Sequence, residues 1–109
     1  MENKNVYEIL AEVVPHMKSR PGMYFQPVNF NNLRVYVDGF VNGLSWNSAV
    51  GGNGEISRWL GEKVKRGHDV VWTAHVLTLA NHDERKAWDL LFYYLEEFLK
   101  EKGYPLSEG

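Results

Sequence analysis

The 109-residue chain has no cysteine, which removes disulfide frameworks, thiolate zinc sites, iron–sulfur clusters and thiol catalysis together. It has no apolar run approaching the length of a membrane span, and its opening Met-Glu-Asn-Lys-Asn lacks the basic and apolar regions of a signal peptide. The expected location is therefore cytoplasmic, with no membrane partner. An excess of one charge is also missing. Twelve Lys and Arg face 14 Asp and Glu, a formal charge of −2, so bulk electrostatics gives no reason to expect direct nucleic-acid binding. Aromatic residues, by contrast, are plentiful: 4 Trp, 6 Tyr and 5 Phe in a chain that is 44% hydrophobic. These bulky groups suit one core that needs neither disulfide nor metal, and the expected organisation is a single domain over residues 1–109.

Asn5, with Glu8 three residues on, reads as a helix start resembling a capping box, and Val6, Ile9, Leu10, Val13, Val14 and Met17 then recur at helical spacing. Pro15 sits opposite that stripe and should kink or shorten the helix. Ser19-Arg20-Pro21-Gly22-Met23-Tyr24-Phe25 reads as an ordered turn. A second helix is expected from a cap at Asn31 or Asn32, carrying Leu33, Tyr36, Val37, Phe40 and Leu44 on one side. Gly39 and Gly43 on its flank suggest close approach of a neighbouring backbone. Residues 50–54 are glycine-rich but lack the Lys and Ser/Thr of a phosphate loop, and Asn53 is expected to cap a third helix with Ile56, Trp59, Leu60 and Val64.

Residues 70–80 are ambiguous: β-branched residues favour a strand, whereas Trp72, His75, Val76 and Leu79 form a helical stripe. The helical neighbours tip the choice to helix. The last element is the clearest. Asp83 and Glu84 begin it, Ala87, Trp88, Leu91, Phe92, Leu95, Phe98 and Leu99 mark its buried side, and Gly103 and Pro105 end it. The expected fold is all-α, a compact bundle of four to five short helices around this last one.

Few residues suggest chemistry. His68, His75 and His82 recur every seven residues, which on a helix separates neighbours by about 10 Å, too far for one metal ion. No histidine pair has the three- or four-residue spacing of a helical zinc site, and no serine sits in a nucleophile-elbow motif. No catalytic residue, metal site or cofactor is expected. The outward side of the last helix is more informative, since Asp89, Tyr93, Glu96, Glu97 and Lys100 project away from its apolar stripe. Such a face can simply be solvated, or it can be a contact patch in which an exposed tyrosine anchors a basic partner. Trp46, opposite Leu33, Val37 and Leu44, is a second candidate anchor.

Lys18-Ser19-Arg20-Pro21-Gly22-Met23-Tyr24 resembles a segment near the start of the ATPase domain of type IIA topoisomerase B subunits, without the nucleotide motifs that follow there, which assigns the likeness to a shared turn. A wider resemblance covers Arg-Pro-Gly-Met-Tyr, Asp38-Gly39-Phe40, Trp59-Leu60, Trp72 with His75, and Asp83-Glu84-Arg85-Lys86-Ala87-Trp88-Asp89-Leu90-Leu91-Phe92. In these the chain is similar to a family of small cytoplasmic bacterial proteins, some of which are immunity proteins of contact-dependent growth inhibition and related polymorphic toxin systems. That resemblance implies a heterodimer with a cognate toxin domain, usually a nuclease such as an RNase, whose active site is occluded. It carries no catalytic motif, and homo-oligomerisation stays open. A protein-interaction or regulatory module unrelated to toxins is the alternative, and an enzyme is the least supported class because no base, nucleophile and oxyanion donors converge.

Overall fold

Apolar stripes punctuated by Asn, Gly and Asp become, among the described residues of a computed structural model, five α-helices: α1 (Val6–Ser19), α2 (Phe30–Ser45), α3 (Gly52–Val64), α4 (Trp72–Leu79) and α5 (Glu84–Glu101). Residues 5–46, 52–65 and 71–106 are described, and no strand occurs among them. The protein is an all-α bundle, and its radius of gyration of 13.3 Å matches the roughly 13 Å of a compact chain of about this length.

Caps fix where most helices begin. The Asn5 side chain accepts from the Glu8 N–H at 2.9 Å, as the sequence suggests, and α1 runs through Pro15 to Ser19 rather than stopping there. For α2 the cap is Asn29, not Asn31 or Asn32: its side chain accepts from the Asn32 N–H at 2.8 Å. Starting there makes Phe30 helical and buries it, which selects among three asparagines of equal capping ability. Asn53 is likewise not the cap of α3 but lies inside its first turn. Gly52 precedes it with φ +60°, and a Cβ there would meet the Ser45 Oγ at 2.6 Å, so only glycine lets α3 start this close to the end of α2.

The ambiguous segment is helical. The Ser57 hydroxyl accepts from the Trp72 N–H at 2.9 Å, satisfying an orphan donor that Val71, the residue before α4, cannot cap itself. Helix α4 ends in a Schellman arrangement, with the His82 N–H on the Leu77 carbonyl and the Asn81 N–H on that of Thr78. Asn81, at φ 55°, supplies the left-handed residue this needs. Helix α5 begins at Asp83, whose side chain accepts from the Lys86 N–H at 3.1 Å, and closes the same way through Gly103 at φ 91°. Tyr104 then reaches the start of α1, its hydroxyl accepting from the Asn5 side chain at 2.7 Å.

Helix α5 packs on the other four and is the spine of the core. Leu91, Leu95, Phe98 and Leu99 meet Leu10, Val14 and Met17 of α1, Leu33, Val37 and Val41 of α2, Ile56 and Leu60 of α3, and Trp72 and Val76 of α4. Two expectations fail on the outer surfaces. Gly39 and Gly43 face solvent, and a Cβ at either would touch nothing within 4 Å, because α2 turns Leu33, Val37 and Val41 inward and its glycines outward. Trp88 is only half-buried; Trp72 is the fully buried tryptophan. Just past the 3-10 turn Pro21–Met23, Phe25 lies against Trp88 at 6.0 Å, and Trp88 rests on Phe92 at 5.8 Å, so part of its cover comes from irregular chain.

Candidate binding surface

Helical geometry sets Asp89, Tyr93 and Glu97 one turn apart on the outward side of α5, with Glu96 beside them. The end of α1 packs alongside, and together they form a recess of about 490 Å³ lined by Lys18, Asp89, Phe92, Tyr93, Glu96 and Glu97. Four of the five candidate residues from the sequence are thus brought together. Tyr93 is 56% exposed and stands edge-on to Tyr94 at 5.3 Å. Tyr94 rests on Trp59, which packs on Phe98, so an exposed ring is backed by a continuous aromatic stack into the core. Trp46, at the end of α2, is 81% exposed but is not among the residues lining this recess.

Asp89 is the centre of a broader face. It also lines a recess of about 570 Å³ with Phe30, Arg85 and Trp88, and one of about 310 Å³ with Leu79, Asn81 and Lys86.

Two lysines that the sequence does not place edge this face. The Lys18 ammonium lies 3.1 Å from a Glu96 carboxylate oxygen across the recess. On the other side Lys63 lies 2.7 Å from Glu101, which also accepts from the Trp59 indole N–H at 3.1 Å. These two donors hold the Glu101 carboxyl below the usual carboxylate range, the Lys63 bond contributing most. The Glu101 bond in turn raises Lys63, helped by the negative charge of Glu97. Lys63 also lies 5.3 Å from the Trp59 ring centroid, in cation–π range. The face is therefore mixed in charge, with Asp89 and Glu97 free of any lysine within salt-bridge reach among the described residues. No sequence signal finds Lys18, because its place depends on how α1 packs against α5.

A second polar cluster, also unread from sequence, joins α2, α3 and α4. The Asp38 carboxylate accepts from the Thr73 hydroxyl at 2.9 Å, and the Asp38 main-chain carbonyl accepts from the Asn53 amide at 2.9 Å. Asn53 in turn accepts from the Trp72 indole N–H at 2.9 Å. Burial raises the Asp38 carboxyl above its usual range, against the lowering effects of the Thr73 bond and the Arg34 charge. The available signal was an acid set between Val37 and Val41, both buried, in mid-helix.

Among the described residues no three His, Cys, Asp or Glu side chains gather to hold a metal ion. His16 and His82 are exposed and His75 is buried on α4; His68 lies outside the described residues. No described helix is long and apolar enough to cross a membrane. Comparison of the chain with models of protein families, with curated proteins and with solved structures finds no match.

Proposed function

We propose that this chain is a noncatalytic immunity protein that forms a heterodimer with a cognate toxin domain of the nuclease class and blocks its active site. The observation that carries this reading is the exposed Tyr93 ring set among Asp89, Glu96 and Glu97 on a rigid helix. A nuclease cleft is built to hold phosphates, so carboxylates on the inhibitor take charge-assisted hydrogen bonds from its Arg and Lys side chains. The tyrosine supplies amphipathic area at low entropic cost, and its aromatic backing keeps it in place before contact. The test is to co-express the chain with the product of the adjacent upstream gene, ask whether the two co-purify, and assay nuclease activity of that product with and without the chain. Stoichiometric inhibition is expected; full nuclease activity in the presence of an excess of the chain would overturn the reading.

The pairing of Lys18 with Glu96 and Lys63 with Glu101 favours a second reading. A face so partly neutralised imitates a polyanion less well and suits an interaction module for a partner of mixed charge. Binding that is insensitive to salt would select this alternative, whereas steep loss of association rate with salt selects the polyanion mimic.

A further inference from the structure

Helix α4, at eight residues, is the shortest α-helix among the described residues, and its first turn is held by side chains of other helices. Ser57 of α3 accepts the Trp72 main-chain N–H, Asn53 of α3 accepts the Trp72 indole N–H, and Asp38 of α2 accepts the Thr73 hydroxyl, each at 2.9 Å. The Thr73 and Trp72 side chains are fully buried while their acceptors are half-buried, so a broken bond leaves a buried donor unsatisfied. Asp38 differs from the other two acceptors. It is ionisable, and its second carboxylate oxygen, Oδ1, is fully buried with no hydrogen-bond partner.

We propose that α4 is a separately releasable element, docked through a latch centred on Asp38 that tightens when this carboxyl takes up a proton. A carboxylate with one oxygen buried and unpartnered is held against its preference for water, and protonation removes the charge responsible. Among the described residues the charged group acting on it is Arg34, one turn earlier on α2, whose attraction is smaller than the effect of burial. From α3, the uncharged Asn53 bonds the Asp38 main-chain carbonyl. The side that α4 presents is Thr73, while His75, two positions further on, points about 200° away round that helix. The linkage follows. The docked state binds the proton more tightly than the released state, so docking is strongest below the titration of the free carboxyl and weakens as pH rises through that of the docked one.

Native-state hydrogen exchange on the whole chain tests this, comparing the amides of Ala74 and His75 in α4 and of Ala80 at its C-cap with amides of α5 in the same sample at about pH 5 and about pH 8. In the wild type, α4 protection relative to α5 should be higher at the lower pH. In Asp38→Asn, which keeps an acceptor for Thr73 without the charge, the ratio should lose its pH dependence and stay at the higher level. Thr73→Val should lower α4 protection at both pH values. The proposal is overturned if α4 exchanges in step with α5 in the wild type, or if its relative protection rises with pH. It is equally overturned if Asp38→Asn retains the wild-type pH dependence.

Discussion

Two regions of this molecule use a carboxylate to join helices, and they do so under opposite conditions. Along α5, Glu96 and Glu101 meet lysines of α1 and α3 in water, with the Lys18 and Lys63 side chains about half exposed. At the α2–α3–α4 junction, Asp38 meets a hydroxyl whose side chain is entirely buried. Water screens the first kind of pair and competes for its members, so it adds little stability and stays available to a partner. Desolvation makes the second kind costly to break and of no use for binding. The same residue type is therefore a candidate recognition group at one place and a positioning group at the other.

The sharpest way to test this division is through the tryptophans that stand near the two regions. Trp72 lies in the interior junction with no exposure and its indole N–H bonded, so Trp72→Ala should cost about 3–5 kcal/mol, read as a fall in the denaturation midpoint. Trp88, half-buried against Phe25, should cost about 2 kcal/mol when truncated, because solvent already covers part of it and the irregular chain around Phe25 can settle. Equal losses would show that the irregular chain seals Trp88 as fully as the helices seal Trp72.

On the exterior side, Tyr93→Ala should weaken binding of the proposed toxin by about 1–3 kcal/mol by calorimetry, with the melting temperature nearly unchanged. Glu97→Lys should slow association most strongly at low salt. Unaltered affinity in both variants would detach the function from this face and direct attention to Trp46.

The interior counterpart is smaller and acts on stability alone. Thr73→Val keeps the volume and removes the donor to Asp38, leaving the carboxylate with less support, and should cost about 1–3 kcal/mol. Toxin affinity should be untouched, since neither Thr73 nor Asp38 lines the α5 recess.

How legible each region was in the sequence follows from the same division. Periodicity found all five helices and the outward set Asp89, Tyr93, Glu96 and Glu97, because both follow from positions along one helix. Even the ambiguous residues around Trp72 and Val76 yielded to that pattern. What it could not find depends on which helices meet. Lys18 is separated from Glu96 by 78 residues and Thr73 from Asp38 by 35, and no local spacing encodes either contact. Caps were misplaced for a related reason: Asn29, Asn31 and Asn32 are chemically equal, and only the burial of Phe30 chooses between them. Trp88 departs from the buried stripe because helical spacing predicts facing alone, whereas part of its cover is the irregular stretch that carries Phe25.

The smallest effect is the most discriminating. Lys18→Met and Glu96→Gln, singly and together, should give a coupling energy of about 0.2–1 kcal/mol for folding, falling as salt is added, because both groups are substantially exposed. In toxin binding the two single variants should part company. Glu96→Gln removes a carboxylate that the basic cleft would use, and weakens the complex. Lys18→Met frees that carboxylate from its own lysine and adds to the net negative charge of the recess, so association should quicken at low salt. If Lys18→Met instead weakens the complex, the lysine is itself part of what the partner recognises, and the exterior region reads as a surface of mixed charge rather than as an imitation of a polyanion.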